Sequence, residues 1–136
     1  MMIKDLMSRD VEVARPEDTL QHIASRMAQG DFGFMPVVEE DRVIGTITDR
    51  DLTVRALAKG ASAGDAVGQY LSRDAITALD TDELKTALDL MSRARIRRLP
   101  VTDKHGRLVG VVSLGDLSVK VKERYAGEAL ESISQP

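Results

Sequence analysis

The chain has 136 residues, 43% of them apolar and 30% charged, a balance that fits one compact, water-soluble globular domain. A net charge of −3, with Lys and Arg interspersed among Asp and Glu, argues against nucleic acid, and two Phe, two Tyr and no Trp leave little to stack on bases. Without cysteine there is no disulfide, thiolate nucleophile or zinc–thiolate site. No apolar run reaches membrane length or marks a secretory leader, so a cytoplasmic address is expected.

A short amphipathic turn at residues 3–7 is followed by an extended piece at 11–13. Asp18-Thr19-Leu20-Gln21 then fits a capping box, with Asp standing in for Ser or Thr, and Leu20, Ile23, Ala24 and Met27 follow helical spacing. Strands at 34–38 and 42–48 read as a hairpin, and a helix starts at Asp49. Residues 59–64, with Gly60 and Gly64, read as a linker. The same series then begins again. A turn at 66–71 and an extended piece at 75–77 precede a second capping box, Asp80-Thr81-Asp82-Glu83, and a helix carrying Leu84, Ala87, Leu88 and Met91. A hairpin over 99–102 and 108–113 has Gly106 where a positive φ is expected, and a helix starts at Leu114. From Tyr125 the pattern weakens around Gly127. Residues 124–136 are set apart as a tail, either a frayed end or an appended docking helix.

The recurrence extends to individual residues. Asp5-Leu6-Met7-Ser8-Arg9-Asp10 returns as Gln69-Tyr70-Leu71-Ser72-Arg73-Asp74, and Met35-Pro36-Val37-Val38 as Leu99-Pro100-Val101-Thr102. One residue is inserted in the second turn before Val43-Ile44-Gly45-Thr46-Ile47-Thr48-Asp49-Arg50-Asp51 returns as Leu108-Val109-Gly110-Val111-Val112-Ser113-Leu114-Gly115-Asp116. Repeat one is placed at residues 2–58 and repeat two at 65–123. Each copy is too small to cover its own apolar faces, so the two should stack with pseudo-two-fold symmetry as an α/β (α+β) sandwich.

In each copy a strand leads from Gly through two apolar residues to a hydroxyl and, three residues later, an Asp. Thr48 and Ser113 fall where strand turns into helix, so each hydroxyl can accept from an orphan N–H. Asp51 and Asp116 can reach back to the cap backbone, favoured by the positive end of the helix dipole. Seen once, this is an ordinary capping box. Seen twice in register, it sets a hydroxyl, a carboxylate and free N–H groups at the inter-repeat cleft, a set that suits a ribose and a phosphate. Arg93, Arg95, Arg97 and Arg98 form the dense basic cluster, and Arg97, Arg98 and the weaker Arg50 are phosphate candidates. The alternative for the cluster is a charged edge strand that discourages pairing with other chains. His22 and His105 have no third ligand at metal spacing, so no metal site is expected. No histidine is placed to activate a serine and no phosphate loop occurs, so no catalytic residue emerges.

These motifs together resemble the tandem CBS (cystathionine-β-synthase) domain family over residues 2–123. The resemblance implies two βαββα units, the pair known as a Bateman module, with two clefts for adenosine-containing ligands: AMP, ADP, ATP or S-adenosylmethionine. It puts Thr48 and Asp51 on the ribose side of one cleft, and Ser113 and Asp116 on that of the other. The base side falls to Val11, Val13, Phe34 and Met35 in repeat one, and to Ile76, Thr77 and Leu99 with Arg98 in repeat two. It further implies a non-enzymatic sensor module needing no cofactor, in which an adenine nucleotide or S-adenosylmethionine acts as regulatory ligand. A homodimer and an unidentified regulated protein partner are expected. The competing expectation is a protein-interaction or structural module with empty clefts.

Overall fold

The computed structural model describes residues 1–134. Helix α1 (Leu20–Gly30) is capped by Thr19, whose Oγ1 accepts from His22 N at 3.1 Å. The cap therefore lies one residue beyond the box expected on Asp18, whose carboxylate instead accepts from Arg15 N at 2.8 Å. Helix α2 (Leu84–Ala94) also departs from expectation. Its N-cap is Glu83, which makes no side-chain cap bond, while Asp82 accepts from Leu79 N at 2.9 Å. Distant backbone explains why side-chain caps are dispensable. Leu20 N donates to Asp65 O at 3.0 Å, Gln21 N to Ala63 O at 3.1 Å and Leu84 N to Met1 O at 3.0 Å, filling orphan positions of the first turns.

Strands β1 (Phe34–Glu39) and β2 (Arg42–Thr48) pair antiparallel through a two-residue turn, Glu40-Asp41, with φ of 51° and 65°. Two positive φ values match the right-handed strand twist. In repeat two, β3 (Ala78–Leu79) runs parallel to β4 (Arg98–Thr102), which pairs antiparallel with β5 (Leu108–Ser113). A single residue, Ala14, bridged parallel to Val37, stands where β3 would be in repeat one. Pairing thus begins after the extended pieces at 11–13 and 75–77, which stay irregular. Gly106 adopts φ 79° in the second turn, beside Asp103, whose Oδ1 accepts from His105 N at 2.8 Å and Arg107 N at 3.0 Å. Desolvation pushes this carboxyl up, but the two N–H donors and the charges of His105 and Arg107 leave it below its ordinary pKa.

The elements that follow the two hairpins differ. Helix α3 (Leu114–Ser134) passes through Gly127 unbroken, a rod of about 30 Å. The tail expected from residue 124 is therefore continuous with the closing helix as far as Ser134, and Gln135 and Pro136 lie outside the described residues. In repeat one the chain turns helical at Asp49, continues as π-helix over Asp51–Ala56 and 3-10 helix over Leu57–Lys59, and stops at Gly60 with φ 85°.

The two cores are built by exchange. The opening turn of the chain, Ile3, Leu6 and Met7, packs with Ala78, Ala87, Met91, Leu99, Val101, Val112 and Leu117 of repeat two. Val67 and Leu71, from the opening turn of repeat two, pack with Ala14, Leu20, Ile23, Met27, Met35, Val37 and Ile47 of repeat one. Backbone bonds lock both crossings. Ser8 and Val111 exchange two bonds of 2.9 Å, and Ser72 and Thr46 exchange bonds of 2.9 and 3.0 Å. Gly45 and Gly110 sit at these crossings. A Cβ on Gly110 would stand 2.7 Å from both Met7 Sδ and Ser8 O, and one on Gly45 would collide with Leu71 and Ser72 O.

Candidate functional site

Strand β2 ends in a reciprocal cap. Asp51 N donates to Thr48 Oγ1 at 3.1 Å, and Thr48 N donates to Asp51 Oδ2 at 3.0 Å. The second carboxylate oxygen, Oδ1, lies 4.0 Å from Arg55 Nη1, and the Asp51 side chain is 15% exposed. Arg55 also donates to Ser72 Oγ at 2.8 Å, tying the π-helical segment to the crossing strand. At the end of β5, Asp116 N donates to Ser113 Oγ at 3.0 Å, and no return bond to the Asp116 carboxylate is present among the described residues. Asp116 is the more exposed of the two carboxylates.

Each cap opens into a cleft. The first, of about 550 Å³, joins Thr48, Asp51 and Arg50 to Ser72, Asp74, Ala75 and Ile76 of the crossing segment, and to Arg95, Arg97 and Arg98 leading into β4. The second, of about 390 Å³, joins Ser113 and Asp116 to Ser8, Asp10, Val11 and Glu12. Because the opening segments are exchanged, each cap faces the extended piece of the other repeat: Thr48 and Asp51 face Ile76, and Ser113 and Asp116 face Val11. Phe34 and Arg98, the first residues of β1 and β4, line both clefts.

Not every expected base-side residue lines a cleft. Met35 and Leu99 are fully buried, one in each core, because alternation along β1 and β4 turns them inward. Val13 and Thr77 lie outside the lining of both clefts; the Val13 carbonyl accepts from Arg26 Nη1 at 2.8 Å. The structure also adds residues to which the sequence reading gave no role: Ser8, Asp10, Ser72 and Asp74. All four belong to the Ser-Arg-Asp triplet that recurs at 8–10 and 72–74. Polar residues recurring in register where no core demands them were the available signal.

Two intertwined α+β repeats that place a strand-end cap against a segment of the other repeat define a paired-domain module with two related clefts. The CBS domain family model matches residues 3–57 and 67–123, and this chain belongs to the CBS domain family. It is 38% identical over 133 residues to the CBS domain-containing protein YhcV of Bacillus subtilis, covering 97% of this chain and 94% of that protein. Hypoxic response protein 1 of Mycobacterium tuberculosis is 31% identical, with coverages of 98% and 94%. The crystal structure of Hypoxic Response Protein I, with two coordinated zinc ions, superposes with a TM-score of 0.80 at 28% identity, covering 87% of this chain and 97% of that one. The CBS domain pair of protein MJ0100, in complex with 5′-methylthioadenosine and S-adenosyl-L-methionine, gives 0.78 at 25% identity, with coverages of 91% and 98%. No group of three or more His, Cys, Asp or Glu is arranged to hold a metal among the described residues, and no described helix is long and apolar enough to cross a membrane.

Proposed function

We propose that this chain is a regulatory module that binds an adenosine-containing ligand in its inter-repeat clefts and carries out no chemistry on it. The observation that carries this reading is the reciprocal Thr48–Asp51 cap at the mouth of a cleft edged with arginines. Asp51 Oδ1 is free of the cap bond and can accept from vicinal ribose hydroxyls, while guanidinium forks match phosphate oxygens. The MJ0100 complex with two adenosyl ligands supports the same ligand class.

A ligand in either cleft touches both repeats. Its binding energy therefore favours one packing of the halves, and a regulated protein that distinguishes the packings reads out occupancy. The module pairs as a homodimer through its helix faces. Val54 and Val119, at matching positions of the two repeats, are 45% and 55% exposed, and Leu57 is exposed beside Val54.

Thermal unfolding with AMP, ADP, ATP, 5′-methylthioadenosine and S-adenosylmethionine tests the reading. Ligand at about 100 times its Kd should add roughly 2.7 kcal/mol to the stability of the folded state. Asp51→Ala and Asp116→Ala together should abolish that gain. No shift with any of the five would count instead for an interaction module that leaves its clefts empty.

A further inference from the structure

The clefts differ in charge. The Thr48/Asp51 cleft sets Arg50, Arg95, Arg97 and Arg98 against Asp49, Asp51 and Asp74. Two of those three aspartates already accept backbone N–H bonds, Asp51 from Thr48 and Asp49 from Arg50 at 2.9 Å. Neither Arg97 nor Arg98 has a hydrogen bond or ion pair holding its guanidinium among the described residues. The Ser113/Asp116 cleft has the opposite balance. Its lining acids are Asp10, Glu12 and Asp116, and Arg98 is the one lining cation. Glu12 is paired with Arg26, so Asp10 and Asp116 carry the negative excess.

Arg98 is shared between the clefts, and one guanidinium can fork onto one phosphate at a time. A phosphate in the first cleft has three further arginines beside it. In the second cleft it would meet two carboxylates and could rely on Arg98 alone. Within a Debye length of about 8 Å salt screens such charges little, so the net charge of each lining reaches the ligand.

We infer that the two clefts are sorted by ligand charge. The Thr48/Asp51 cleft takes adenosine bearing a 5′-phosphate, and the Ser113/Asp116 cleft takes an adenosine ligand whose 5′ substituent is neutral or cationic, a thioether or a sulfonium. The inference rests on the adenosyl-binding reading above and adds which chemistry goes where. Occupancy of the first cleft by a phosphate also draws Arg98 toward it and makes the second more negative, so an anionic ligand in one favours a cationic ligand in the other.

Calorimetric titration of the full chain with AMP, 5′-methylthioadenosine and S-adenosylmethionine tests the sorting through their different 5′ charge. Arg97→Glu changes a residue that lines the first cleft alone; it should weaken AMP by about tenfold or more and leave S-adenosylmethionine within about twofold. Asp10→Lys, in the second cleft alone, should weaken S-adenosylmethionine by about tenfold while AMP stays within about twofold. Both side chains are exposed, so neither variant disturbs a core, and Arg97→Met with Asp10→Asn should reproduce the pattern at smaller amplitude. AMP and S-adenosylmethionine should also bind together, one of each per chain. If AMP displaces S-adenosylmethionine one for one, or if either variant weakens both ligands alike, the sorting is overturned while adenosyl binding stands. If the unaltered chain binds none of the three, the adenosyl reading falls and the sorting with it.

Discussion

Gly45 and Gly110 occupy the first position of the strand–cap motif, and neither has a positive φ that would require glycine. Their role is clearance: each lets a crossing segment lie against the strand backbone. Gly110→Ala must push Met7 and Ser8 away and should cost about 1–3 kcal/mol by overpacking, measured by urea unfolding. Gly115→Ala is the control. Nothing lies within 4 Å of its added Cβ, and alanine in helix α3 should be neutral or stabilising by up to about 1 kcal/mol. Equal losses at both positions would remove the clearance argument. The cap residues were legible because hydroxyl and carboxylate recur three apart after a strand. The crossings were not, because Ser8–Val111 and Ser72–Thr46 are joined by backbone bonds, which leave no side-chain pattern. A glycine inside each β-branched strand was the trace they left.

At the scale of elements, periodicity located α1, α2 and both hairpins, and it marked each opening turn without naming the core that the turn enters. An amphipathic turn declares that it needs an apolar partner without saying which one. Ile3, Leu6 and Met7 fit the core of repeat two because β5 lies beside Ser8, a fact of topology. The π-helical stretch at Asp51–Ala56 was equally invisible, since its counterpart Asp116–Val121 is α-helical on much the same pattern. Exchange makes a clear prediction for fragments. Residues 1–60 and 61–136 made separately should each lack far-ultraviolet signatures of a cooperative fold, because each core is missing its crossing turn. Mixing them should restore one cooperative transition. Either fragment folding alone with native-like stability would contradict mutual dependence of the cores. Loss of Ile3, Leu6 and Met7 together removes burial worth roughly 5–9 kcal/mol, enough to unfold a domain of ordinary stability.

At the scale of the molecule, two repeats leave apolar positions uncovered in matching places. Val54 and Val119 are one such pair, flanked by Leu57 and Leu114. Sedimentation equilibrium at micromolar concentration should give twice the chain mass of 14.9 kDa. Val54→Asp with Val119→Asp should return a folded monomer, because neither side chain belongs to the core of either repeat. A monomer at all concentrations, with and without nucleotide, would count against paired assembly.

During synthesis the exchange also sets a timetable. Ile3 leaves the ribosome well ahead of Val112 on β5 and Leu117 on α3, which share its core and are among the last residues of the paired repeats to be made. At a translation rate of about 5–20 residues per second, the apolar face of residues 3–7 waits on the order of ten seconds for its core. Repeat one closes earlier, once Val67 and Leu71 have emerged. The turn at residues 3–7 thus stays exposed longer than any other core segment of the two repeats, and a holding chaperone that binds short apolar segments should contact it until helix α3 clears the exit tunnel.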